Sequence, residues 1–183
     1  TAQIAITVNP TPTVTSTAGT NPICAGASTT LTGSGASTYV WNPGSLPGSP
    51  VTVSPGSTQT YTVTGTGANG CTSTSQITVT VNPLPTVTST AGTNPICVGG
   101  STTLTGGGAS SYVWNPGSIP GSPITVSPGS TQTYTVTGTG ANGCTNTSQI
   151  TVTVVPTPTV TATAGTNPIC AGSSSTLTAT GAT

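Results

Sequence analysis

Cysteine is the residue in this chain with the most chemistry to offer, and it occurs five times, at Cys24, Cys71, Cys97, Cys144 and Cys170. A thiol can act as a nucleophile, ligate a metal or form a disulfide. A cysteine nucleophile needs a base beside it, and the 183 residues contain no His, Asp, Glu, Lys or Arg. Zinc would have to be held by cysteine alone, and no Cys-x-x-Cys spacing is present. Calcium and magnesium lack carboxylates to bind them. Disulfides are what remains.

The same missing charges exclude whole function classes. General acid–base catalysis, catalytic triads and phosphate clamps all lose their essential residues. Without basic residues nothing releases counterions from nucleic acid, so it is not an expected partner. No apolar run approaches the roughly 18 residues of a transmembrane helix. Thr1 is a conceivable N-terminal nucleophile, but its place in a strand-like run, Thr1–Val8, argues against that role. The chain is therefore expected to be no enzyme, with no catalytic, cofactor-binding or metal residues and no cofactor.

Hydroxyl takes the place of charge: the chain holds 47 Thr and 22 Ser, with 25 Gly and 17 Pro. Such a composition would suggest disorder, except that Thr and Val alternate with the period of two that marks strands. Thr-x-Thr rows such as Thr62/Thr64 and Thr78/Thr80 could in principle bind ice or carbohydrate. A solvated face built of strand-favouring residues accounts for them better. Trp41, Tyr39 and Tyr61 could similarly form a sugar-stacking platform, yet their phase along the strands points inward, to core packing. Asn146-Thr147-Ser148 is a glycosylation sequon with no counterpart at Ser73.

What must position these residues is a repeat. Pro10, Pro83 and Pro156 open nearly the same text, 73 residues apart, and residues 10–82 and 83–155 differ at nine positions. Four segments follow: 1–9, the final strand of a preceding repeat; 10–82, repeat 1; 83–155, repeat 2; and 156–183, the first strands of repeat 3. The chain is accordingly expected to be a window on a longer array. A period of this length suits one small sandwich per repeat.

Within repeat 1, strands are expected at Pro12–Ala18, Ser28–Gly33, Thr38–Trp41, Val51–Ser54, Thr58–Thr66 and Cys71–Val81. The intervening WNPGSLPGSP reads as turns, and Asn69-Gly70 as a tight hairpin. No helix signal is present. The inward face should carry Leu31, Tyr39, Trp41, Val53, Tyr61, Val63, Ile77, Val79 and Val81. Repeat 2 supplies Leu104, Tyr112, Trp114, Val126, Tyr134, Val136, Ile150, Val152 and Val154. A Trp on the third strand and Tyr61 near the start of the penultimate one, with Trp114 and Tyr134 as counterparts, are marks of an immunoglobulin-like sandwich with a tyrosine corner. The fold class is thus all-β, a tandem array of immunoglobulin-like β-sandwiches.

The stretches NPICAGASTTLTGSGASTYVWNPGS and VTVSPGSTQTYTVTGTGANGCTSTSQITVTVNP carry the motifs IC-x-G-x-S-x-T-L-T and YTVTGT-x-ANGC. In these the chain resembles the Ig-like and PKD-like tandem repeats of giant Bacteroidetes-type cell-surface adhesins and gliding-motility filament proteins, which are type IX secretion substrates. The resemblance covers essentially every residue and implies an extracellular, elongated, multidomain stalk. Members of that family often carry Asp just before the ANG turn, where this sequence has Gly67, so no metal-dependent role is carried over.

Two disulfide patterns are open. Within-repeat pairing would join Cys24 to Cys71 and Cys97 to Cys144. Sandwich topology argues the other way, because Cys24 falls in the turn after the first strand and Cys71 in the hairpin at the opposite end. The cross-repeat alternative joins Cys24 to Cys144. Cys170 has its partner outside the window in either case. Calcium stiffening and Lys–Asn isopeptide links are both unavailable here, so Pro83 and Pro85 of the linker VNPLPTV, the disulfides or packing against neighbouring chains are left to confer rigidity.

The function these readings support is a rigid, chemically inert structural repeat of an extracellular, secreted filament or cell-surface adhesin stalk. The alternative is a multivalent module binding carbohydrate or surfaces. The expected partner is the chain itself, as a fibre or lateral bundle, because the sheet edges lack the charges that normally guard them.

Overall fold

The computed structural model describes residues 3–181, and Thr1 lies outside the described residues. Twenty strands and no helix occur among them. The chain forms two compact units. One comprises the chain up to Pro85 together with Thr139–Thr145; the other comprises Thr86–Gly138 and the chain from Asn146 on.

In the first unit the strands are β1 (Thr15–Ala18), β2 (Ile23–Cys24), β3 (Thr29–Ser34), β4 (Thr38–Asn42), β5 (Leu46–Pro47), β6 (Val51–Val53), β7 (Gln59–Thr66), β8 (Thr72–Val79) and β9 (Val81–Asn82). They form a three-stranded sheet, β1-β3-β6, facing a four-stranded sheet, β5-β4-β7-β8. Both sheets are antiparallel. Two antiparallel sheets enclosing one core define the immunoglobulin-like sandwich.

Alternation explains the faces. β3 runs buried, exposed, buried, exposed, and β7 keeps Tyr61, Val63 and Gly65 inward while its Thr residues face out. Trp41 and Leu31 are wholly buried among Ile23, Val53, Tyr61, Val63 and Val79, with Val14, Tyr39 and Leu46 packed at the margin. The expected core is therefore present, enlarged by Ile23 and Leu46 from segments that read as turns and by Val14 from the first expected strand. Ile77 and Val81 are partly buried. On the β1 and β8 side, the hydroxyl of Ser16 meets that of Ser75 at 2.9 Å.

The second unit repeats the order with β10 (Thr88–Ala91), β11 (Ile96–Cys97), β12 (Thr102–Gly107), β13 (Ser111–Asn115), β14 (Ile119–Pro120), β15 (Ile124–Val126), β16 (Gln132–Thr139), β17 (Thr145–Val152) and β18 (Val154–Val155). Its sheets are β10-β12-β15 and β14-β13-β16-β17, around Trp114, Leu104, Val136, Val152 and Tyr134. Later in the chain, β19 (Thr161–Ala164) pairs with β20 (Leu177–Thr180), and both are exposed along their length.

One sequence expectation needs correction. The tyrosine whose hydroxyl bonds back to the main chain is Tyr39, not Tyr61. Its Oη donates to the Ala36 carbonyl and accepts from the Ala36 N–H, both at 2.8 Å. Tyr112 does the same with Ala109. The reason is local: the Gly35 turn places Ala36 three residues before Tyr39, within reach of its hydroxyl.

Candidate functional site: the cysteine junction

The short strand β2 carries Cys24. It pairs in parallel with β9, Ile23 opposite Val81 and Cys24 opposite Asn82. Two further bonds flank the pair, Ile23 N–H to the Thr80 carbonyl at 3.0 Å and Ala25 N–H to the Asn82 carbonyl at 2.9 Å. Asn21 secures the approach. Its Nδ2 donates to the Thr78 carbonyl at 2.8 Å and its Oδ1 accepts from Thr80 N–H at 2.9 Å. Ile23 is buried in the sandwich, so its neighbour Cys24 is held at the surface end of the core. Asn-Pro-Ile-Cys thus works as one device: the amide clamps, the isoleucine anchors and the thiol presents.

Cys144 closes the turn between β16 and β17, a turn that belongs to the first unit. Gly140 N–H bonds the Cys144 carbonyl at 2.8 Å, and Gly143 N–H bonds the Gly140 carbonyl at 2.9 Å. Gly143 takes φ +80°, the left-handed conformation that explains glycine at this point of the turn. Asn142 completes it, with Oδ1 accepting from Cys144 N–H at 3.1 Å and Nδ2 donating to the Pro83 carbonyl at 2.9 Å. Cys144 is fully buried.

Cys24 and Cys144 form a disulfide across 120 residues of sequence, with Cα atoms 5.7 Å apart. Cys71, Cys97 and Cys170 are free thiols. Neither within-repeat pair, Cys24–Cys71 or Cys97–Cys144, forms. The physical reason lies in β8. Cys24 sits beside Asn82, past the end of that strand, whereas Cys71 immediately precedes its start. Eight residues of strand separate the ends by about 26 Å, far beyond the reach of a disulfide.

The free cysteines occupy matching positions. Cys71 has Asn69 Oδ1 on its N–H at 3.1 Å, Asn69 Nδ2 reaches the Pro10 carbonyl at 2.9 Å, and the Cys71 thiol lies 3.8 Å from the Asn9 carbonyl. Cys97 lies on β11, which pairs in parallel with β18, and Asn94 clamps Thr151 and Thr153 as Asn21 clamps its counterparts. The sequence singles out the cysteines, but not the two asparagines that aim them. The signal for these was their fixed spacing, three residues before Cys24 and two before Cys144.

Trp41 and Trp114 are fully buried, each donating its indole N–H to a turn carbonyl, Gly48 at 3.2 Å and Gly121 at 3.1 Å. Tyr61 and Tyr134 are 6% exposed. None of these four rings offers a face for a sugar to stack on. Burial holds the phenols of Tyr61 and Tyr134 above their ordinary range by disfavouring the ionised form. No group of His, Cys, Asp or Glu able to hold a metal exists among the described residues.

The sandwich topology and its inward tryptophan define an array of immunoglobulin-like domains. Neither a protein-family model nor a curated protein matches the chain. Solved structures similar to it include the fibronectin(III)-like modules of Clostridium thermocellum CbhA, at 11% identity over 78% of this chain and 95% of that one, with a TM-score of 0.38. A calcium-stabilised, ice-binding adhesin of an Antarctic bacterium shares 15% identity over 86% of this chain and 53% of that one, TM-score 0.41. The IgVJ-C2 molecule of amphioxus shares 17% over 64% of this chain and 89% of that one, TM-score 0.34. No helix among the described residues is long and apolar enough to cross a membrane.

Proposed function

We propose that the chain is a structural segment of an extracellular filament or cell-surface adhesin stalk, secreted by the type IX route and built from 73-residue repeats at 10–82 and 83–155. The observation that carries this reading is the Cys24–Cys144 disulfide. It joins the first cysteine of repeat 1 to the second cysteine of repeat 2, a covalent link between these two repeats besides the peptide chain. A structural disulfide also suits an oxidising, extracellular compartment. The absence of ionisable catalytic groups fits a material role.

By the same register Cys71 pairs with a preceding repeat, and Cys97 and Cys170 with following ones. Lateral bundling of copies through their uncharged edges follows from the lack of guarding charges. Non-reducing peptide mapping of the parent protein tests the pattern. Cross-repeat disulfides throughout, together with long uniform fibres in electron micrographs that fray on reduction, are the expected result. A map dominated by Cys24–Cys71 peptides, or globular particles unaffected by reductant, would refute it.

A further inference from the structure

Two of the four tyrosine hydroxyls have a use in the fold and two do not. Tyr39 and Tyr112 bond the main chain. Tyr61 and Tyr134 have no hydrogen-bond partner among the described residues, although each is 94% buried. No buried side-chain oxygen is left unsatisfied among the described residues, so these two hydroxyls must reach solvent. Both tyrosines line a groove, present once in each unit.

In the first unit the groove has a volume of 440 Å³ and lies between the turn after β4 and the loop from β6 to β7. Pro43, Leu46 and Pro55 give it apolar walls, while Tyr61, Gln59 and Ser57 supply polar atoms. Gln59 Nε2 is tied to the Thr60 carbonyl at 3.1 Å, which fixes the amide and leaves Oε1 as an acceptor. The second unit repeats the groove at 490 Å³, with Pro116, Ile119, Pro128, Gln132 and Tyr134 in the same places. Both grooves are shallow and open to solvent, so an occupant rests against one wall and is not enclosed.

The chemistry of the lining selects the occupant. A charged ligand would surrender its hydration to a groove with no counter-charge. A purely apolar one would cover the phenol hydroxyl and leave it unpaired, at a cost of about 1–3 kcal/mol. A peptide adding as a strand would need a longer edge than the three residues of β6. A neutral ring bearing hydroxyls on an otherwise carbon surface meets every requirement.

We propose that each groove binds one residue of a neutral saccharide. Tyr61 Oη and Gln59 Oε1 take its hydroxyls in the first unit, Tyr134 and Gln132 in the second, and its carbon face rests on the prolines. Each site alone is weak, with a dissociation constant on the order of 1 mM. Repetition along the chain supplies the avidity. This site is independent of the shaft reading, and either can fail without the other.

The test is a titration of the isotopically labelled chain with neutral tetrasaccharides of glucose, mannose and N-acetylglucosamine, followed by amide correlation spectra. Saturable shifts at Ser54–Gln59 and Ser127–Gln132 are expected for at least one sugar. Tyr61→Phe keeps the buried ring and should weaken the first set about tenfold while leaving the second untouched; Tyr134→Phe should do the converse. Unchanged spectra with every sugar would overturn the proposal, as would shifts that persist in both Phe variants. Shifts that follow protein concentration instead of sugar would assign the groove to contact between copies and overturn it equally.

Discussion

The same residue type has opposite meanings at Tyr39 and Tyr61. Tyr39 Oη satisfies both polar groups of Ala36, so Tyr39→Phe strands a donor and an acceptor in a half-buried turn and should cost about 1–3 kcal/mol. Tyr61→Phe removes a hydroxyl with no protein partner and should change stability by less than about 0.5 kcal/mol. Urea unfolding of the two variants checks the contrast; equal losses would show that Tyr61 has a structural bond after all. The buried phenols also set an alkaline limit. Below pH about 10 the phenol is neutral in both folded and unfolded chains, so it contributes no pH dependence. Above that, the unfolded chain ionises first because burial raises the folded values of Tyr61 and Tyr134, and stability is lost as pH climbs. Since the chain has no Asp, Glu, His, Lys or Arg, the melting temperature should stay flat between about pH 4 and 8 and fall above about 10. A melting curve that shifts steeply in the acid range would contradict this.

At the scale of elements, long alternating strands declare themselves and short ones do not. β3, β4, β7 and β8 lie within two residues of their expected ends, because five to eight residues of alternation are enough to show which face is buried. β2, β5 and β9 have two residues each, too few for any period to register. These short pieces matter for the junction, since β2 carries Cys24. Ile23 was equally hidden, being a lone apolar residue among turn formers whose burial comes from tertiary packing. Cys24–Cys144 was legible as one of two alternatives because strand order places chain ends, whereas the fixed spacing of Asn21 and Asn142 to the cysteines marks the asparagines without naming the backbone groups they clamp. Turns show the converse case, where one residue type carries the geometry. Gly35 sits at φ +88°, and a Cβ there would collide with the Thr13 carbonyl oxygen. Gly35→Ala should therefore cost more than the roughly 1 kcal/mol of a left-handed alanine alone, about 2–4 kcal/mol in all, by displacing the chain just before β1. Gly56→Ala, with open space around it and no positive φ, is the control that should remain within about 0.5 kcal/mol in the same denaturation assay.

For the whole molecule, charge and disulfide together decide which solution conditions can touch it. Ion pairs that salt would screen are absent because their residues are absent, so the melting temperature should not move between dilute buffer and physiological ionic strength. Reductant acts on something real. The Cys24–Cys144 bond closes a loop of 120 residues, and releasing it returns conformational freedom to the unfolded chain, a loss of about 2–4 kcal/mol. For a chain of this length that corresponds to a fall in melting temperature of roughly 5–15 °C. Cys24→Ser should reproduce the fall without reductant, and reductant should then do nothing further. Cys71→Ser should leave the oxidised melting temperature where it was, because Cys71 is a free thiol in this chain. Calorimetry of the three proteins with and without reductant separates the alternatives: a Cys24→Ser variant as stable as the oxidised parent would mean that the junction contributes nothing. A response to reductant that survives in Cys24→Ser would place the stabilising bond elsewhere. With ionisable side chains so nearly eliminated, redox state becomes the main solution variable to which the fold can respond.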